Sequence, residues 1–177
     1  MTPIAQPDKA NQYRKLAAEM MVPQDSDRCE FNPEWIRSRG WKVVPAEQAG
    51  GHFPLADIPR IVLALNKAGH ASCIAIGTES LGDEMPDCYA LRISEEDFRE
   101  FNRELGPFRF LMMDEQRSWA ISCTEWYNLF AGHPELVESM LGKTVDQAQQ
   151  EYLAFALEIA TQPDEPLVKM AEHYRSL

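Results

Sequence analysis

Three apolar runs follow one another between Phe108 and Ala131: FRFLMM, SWAISCT and EWYNLFA, the first two joined by DEQR and the last two contiguous. Each is short, apolar and partly aromatic, the pattern of a strand rather than of a helix. Strands that succeed one another with so little between them favour antiparallel pairing. Two earlier runs, SCIAIGT and CYALRI, read the same way. The expected fold is α+β: a mostly antiparallel sheet of about five strands packed by helices on one side, with helical N- and C-terminal segments.

Helix signals surround these runs. An amphipathic stretch spans about Asp8–Met21. In NPEWIRSRGW, Asn32 can cap, Pro33 suits the first helical position and Gly40 suits a left-handed stop. WKVV follows as a short strand, and PAEQAGGHFP reads as a loop. Asp57 is a candidate cap for a helix whose stripe is Ile58, Ile61, Val62, Leu65 and Ala68, ended by Gly69. Ser94 with Asp97 and Thr144 with Gln147 resemble capping boxes. The first opens a helix carrying Phe98, Phe101 and Leu105 on one face; the second opens one carrying Val145, Ala148, Tyr152, Phe155 and Ile159. A short helix lies between Pro134 and Gly142, Pro163 breaks the chain, and a last helix spans about Glu165–Tyr174. Phe98, Phe101, Leu105, Phe110, Trp119, Ile121, Tyr152, Phe155 and Ile159 are expected to share one core.

A length of 177 residues suits a single domain. Within it, residues 1–54 read as a loop-rich helical N-terminal extension and residues 55–177 as the α+β core. A mean hydropathy of -0.38 and the lack of a long apolar run argue against a membrane span. The stretch MTPIAQPDKANQYRK has none of the marks of a signal peptide, so a cytoplasmic location with reduced cysteines is expected.

Charge is distributed unevenly. Residues 1–78 hold nine basic against eight acidic residues, and residues 79–177 hold eight against twenty, within a net charge of -11. Such a field repels phosphate backbones and anionic membranes, so neither nucleic acid nor membrane is an expected partner. It would attract and steer a basic protein.

The motifs of catalysis and of metal binding are missing. His52, His70, His133 and His173 stand far apart, and there is no CxxC, HExxH, GxGxxG, Walker loop or GxSxG. Cys73, Cys88 and Cys123 fall in apolar strands and read as core; Cys29, in a polar stretch, is the weak candidate nucleophile. Adjacent acids at Asp83-Glu84, Asp114-Glu115 and Asp164-Glu165 read as solvated turns. No catalytic residue, cofactor or metal is therefore expected.

RSWAISCTEWYNLFAGHPELVESMLGKTVDQAQQEY, with ISEEDFREFNRELGPFRF before it, resembles the small acidic immunity-type proteins encoded beside bacterial polymorphic toxins. The shared features are a strand–turn–strand ending in an AGxPEL turn, a short helix closing on Gly, and a helix rich in acids and glutamines. The resemblance covers about residues 87–155. It implies a stoichiometric binder that occludes a cognate toxin or effector domain and carries no catalytic residues. The alternatives are an acidic secretion chaperone or adaptor, and a small hydrolase using Cys29 or His52 near the Gly-rich loop.

Under the immunity reading the partner meets acids and an aromatic anchor. Glu96, Glu100 and Glu104 recur at i,i+4 spacing along one helix, while Asp114 and Glu115 occupy one turn. Glu125, Trp126 and Tyr127 follow. Consecutive strand residues face opposite sides, so one of Trp126 and Tyr127 must leave the core.

Overall fold

Helix caps and strand runs organise the chain much as their residues suggest. The computed structural model describes residues 1–22, 30–48, 52–79, 81, 85–162 and 165–177. In chain order the elements are β1 (Thr2–Pro3), α1 (Pro7–Met20), α2 (Pro33–Arg39), β2 (Lys42–Glu47), α3 (Ile58–Lys67), β3 (Ser72–Gly77), β4 (Cys88–Arg92), α4 (Glu95–Leu105), β5 (Phe110–Met113), β6 (Trp119–Cys123), β7 (Tyr127–Gly132), α5 (Pro134–Leu141), α6 (Val145–Ile159) and α7 (Pro166–Arg175). Cys29, Asp83, Glu84, Pro163 and Asp164 lie outside the described residues.

The caps show why the helices begin where they do. Asn32 Oδ1 accepts from the Glu34 amide at 2.9 Å, with Pro33 at the first helical position. Thr144 and Gln147 exchange reciprocal bonds of 3.2 Å, a complete capping box. Ser94 makes only half of one: it accepts from the Asp97 amide at 3.2 Å, while the Asp97 carboxylate accepts from the Arg92 amide at 2.8 Å. Asp57 does not cap α3; its carboxylate pairs with Arg60 at 2.9 Å.

The fold class is α+β, with a wholly antiparallel sheet of seven strands in the order β1-β4-β3-β5-β6-β7-β2. The expected count of about five falls short because residues 1–54 supply both edge strands. The WKVV run continues through Pro45 to Glu47, so the first three residues of the expected loop are strand. That segment also supplies α1 and α2. It is part of the layered structure rather than an appendage to it.

Helices cover both faces of the sheet, not one. Strand side chains alternate between two apolar clusters. Phe110, Met112, Trp119, Ile121 and Cys123 join the first cluster, with Ile61, Leu65, Phe98, Phe101, Leu105 and Met140 from α3, α4 and α5. Leu111, Met113, Ala120 and Leu129 join the second, with Tyr13, Met20, Ile36 and Tyr174 from α1, α2 and α7.

Helix α6 belongs to both layers. Its Val145 and Ala148 pack in the first cluster, whereas Tyr152 and Ala156 pack in the second. The helix therefore crosses the β2 edge as it runs. This overturns the expected single core at three positions: Tyr152 lies on the opposite face from Phe98, Phe155 is half-buried, and Ile159 is 49% exposed.

Candidate functional site

The eight residues expected at a partner surface fall in three places. Helix α4 holds Glu96, Glu100 and Glu104 on the outside of the first helical layer. Phe98, Phe101 and Leu105 claim its inner face. Glu96 pairs with Arg92 at 3.1 Å and Glu104 with Arg103 at 2.9 Å. The Met1 amino group sits 2.6 Å from Glu100 Oε2 and 3.2 Å from Asp97 Oδ2. Every acid of the stripe already faces a cation of its own chain. Burial pushes the Asp97 carboxyl up, but the Arg92 guanidinium and amide and the Met1 amino group outweigh it and hold it at about 2.

Asp114 and Glu115 sit on the β5–β6 turn. Asp114 is buried, contrary to the expectation of a solvated acid. Its carboxylate accepts from the Ser118 amide and hydroxyl, both at 2.7 Å, and faces His70 Nδ1 at 3.7 Å. An Asp there shapes the turn by taking backbone donors that no strand serves. Glu115 accepts from the Tyr13 hydroxyl.

Glu125, Trp126 and Tyr127 sit at the opposite end of β6, a strand of five residues or roughly 17 Å. The two turns therefore do not form one surface. The β6–β7 turn is built around Thr124, whose hydroxyl donates to the Tyr127 carbonyl at 2.7 Å and accepts from the Tyr127 amide at 3.1 Å and the Trp126 amide at 3.3 Å. With its backbone held this way, Trp126 stands 67% exposed while Tyr127 turns inward into the second cluster. Tyr127 is thus a core residue, not a contact residue.

Neighbouring strand ends add acids that are not among the eight expected contact residues. Arg109 lies 3.3 Å from Glu125 and 3.9 Å from Glu79, and its amide donates to Glu79 at 2.9 Å. Glu47 is the register partner of Tyr127 across the β2–β7 ladder. Glu47, Glu79 and Glu125 thus come from three distant stretches to one end of the sheet, beside an exposed tryptophan. The only sequence signal was that each ends or borders a strand. Strand order, which the sequence did not disclose, was needed to bring them together.

His52 is fully buried beneath this end of the sheet, its ring 6.3 Å from that of Phe110. Its Nε2 lies 3.0 Å from the Leu105 carbonyl, its ring packs on Phe101 at 4.9 Å, and its Nδ1 has no partner among the described residues. Burial lowers its pKa to about 4, against a smaller opposing effect of the Leu105 bond. Two asparagines pin the adjoining backbone: Asn128 donates to the His52 carbonyl, and Asn102 accepts from the Phe53 amide at 3.0 Å and donates to its carbonyl at 2.5 Å. Among the described residues, no three His, Cys, Asp or Glu side chains are grouped to hold a metal ion, and no helix is long and apolar enough to cross a membrane. Set against known proteins, the chain matches no family model, no curated sequence and no solved structure.

Proposed function

We propose that the chain is an immunity-type binding protein of the cytoplasm that neutralises a basic toxin domain by direct occlusion. The observation that carries this reading is Trp126, two-thirds exposed on a turn whose backbone is fixed by Thr124, with Glu125, Glu79 and Glu47 at the same end of the sheet. A rigid exposed aromatic costs little conformational entropy to bury and supplies the kind of anchor on which interface energy concentrates. The acids around it would speed the encounter with a cationic surface. A nuclease toxin fits that description, since holding nucleic acid requires a basic cleft.

The experiment is co-expression with the product of the neighbouring reading frame, then capture of the complex and a protection assay. A one-to-one complex is expected. Trp126→Ala should raise its dissociation rate at least tenfold with little change in the association rate. An intact Trp126→Ala variant that binds and protects like the parent would overturn the reading.

A further inference from the structure

A groove of about 280 Å³ runs along the outer edge of β2, bounded by residues from α3, α5 and α6. It is smaller than the roughly 300–1,000 Å³ of pockets that enclose a whole drug-sized molecule. One long side chain is nearer its scale. Pro45, Pro54, Leu141 and Phe155 give it apolar walls.

The charges in the groove are nearly settled within the chain. Arg60 pairs with Asp57 at 2.9 Å and donates from Nε to the Met140 carbonyl at 2.9 Å. Lys143 pairs with Glu151. What remains is Glu47, which meets no cation among the described residues, and the hydroxyl of Tyr152. That hydroxyl is buried and has no hydrogen-bond partner among the described residues, although Tyr152 lines the groove. Burial, then the neighbouring Tyr127 and Glu47, raise its pKa and keep it protonated. A hydroxyl held in this way without a partner is costly, and a ligand donor would relieve it.

The strand edge adds a third acceptor. Gln149 Nε2 donates to the Val43 carbonyl at 3.3 Å, so that carbonyl faces away from β7. Strand alternation turns the carbonyl of Pro45 to the same side. A carboxylate, a hydroxyl and an edge carbonyl along an apolar trough are complementary to a cation on an alkyl shaft. An anion would meet Glu47 while both neighbouring cations are already engaged.

We propose that this groove receives a lysine or arginine side chain of the partner. The source of that side chain rests on the reading above; the cation preference of the groove does not. Glu47 joins the two sites, since it lines the groove and is the register partner of the residue following Trp126.

The test uses the intact chain and single-residue probes, followed by amide chemical shifts. N-acetyl-arginine methylamide and N-acetyl-lysine methylamide should produce saturable shifts at Glu47, Leu141 and Tyr152. The uncharged norleucine and the anionic glutamate analogues should bind at least tenfold more weakly. Glu47→Gln, at an exposed position, and Tyr152→Phe, which removes one oxygen and keeps the ring, should each weaken the arginine response at least threefold. Equal responses to arginine and norleucine, or an arginine response unchanged in Glu47→Gln, would overturn the groove. A chain that captures its toxin yet ignores the probes loses the groove and keeps the occlusion reading. A chain that binds the probes yet captures no basic toxin loses the toxin as the source.

Discussion

Trp126 and Tyr127 are neighbours on one tight turn and point in opposite directions, the first 67% exposed and the second 8%. Their substitutions should separate cleanly. Trp126→Ala should change unfolding free energy by less than about 0.5 kcal/mol, as for other surface sites. Tyr127→Ala should cost about 3 kcal/mol or more by opening a cavity in the second cluster. Denaturant titration of both variants checks this. Iodide quenching of tryptophan emission should fall sharply in Trp126→Ala.

Charge reversal should act on the partner's association rate according to place. Lys at Glu79 and Glu125 should slow association more than Lys at Glu96, Glu100 and Glu104 together. Glu79 and Glu125 share one cation, Arg109, beside the exposed Trp126, whereas each acid of the second group faces a cation of its own, Arg92, Arg103 or the Met1 amino group. Stopped-flow association at two salt concentrations measures the difference, which should shrink as salt rises.

His52 makes stability depend on pH. Its folded pKa of about 4 lies below the usual 6.5, so between those values the unfolded chain binds a proton that the folded chain refuses. Stability attributable to His52 is therefore whole above about pH 6.5 and falls as the pH drops towards 4, by about 3 kcal/mol for the full shift. Unfolding titrations at pH 4.5 and 7 should show this loss, and His52→Gln should flatten it. Asp97 adds a loss at still lower pH, as its carboxyl protonates between about 4 and 2.

Three thiols should resist modification in the native protein. Cys73, Cys88 and Cys123 are buried. Burial, and then the charge of Asp87, push Cys88 to about 11; burial pushes Cys73 higher, so thiolate is scarce at neutral pH. Titration with a chromogenic disulfide should count no more than one fast thiol, none in Cys29→Ala, and four in denaturant.

Gly142 is constrained twice. Its φ of +71° is a left-handed stop for α5, and a β-carbon there would stand 2.9 Å from Arg60 Cδ. Gly142→Ala should cost about 1–3 kcal/mol from backbone conformation alone. It should also displace Arg60 from Asp57, visible as a change in arginine probe binding.

The sequence disclosed most of the local structure and little of the assembly. Asn32, Ser94 and Thr144 announced their helices because a cap is a short-range bond. The alternation through Trp119, Ala120 and Ile121 was legible, but its meaning was not: both sides of β6 are core because α1, α2 and α7 cover the second face. The nearly unbroken apolar character of FLMM and WAISC is what burial on two faces demands. Pro45 concealed the rest of β2, since a proline in a strand usually signals a loop, and only an edge position tolerates it. Of the expected contact residues, Glu125 and Trp126 lie together, whereas Asp114 is consumed by its own turn. Glu47 and Glu79 could not be placed beside Trp126 from sequence, because their neighbourhood exists only once the strands are ordered.

Among the described residues, the two margins of the sheet are ill suited to further strands. On one side β1 is two residues long and ends in Pro3, which has no amide hydrogen to offer. On the other, Pro45 lacks an amide hydrogen, Gln149 occupies the Val43 carbonyl, and α6 lies alongside β2. These features disfavour recognition by backbone laddering, whether by a second copy or by an extended peptide. On the proposed reading, what is left for a partner is side-chain identity at a few turn and groove positions. Partner choice can then be rewritten one residue at a time while the hydrogen-bonded frame beneath stays untouched.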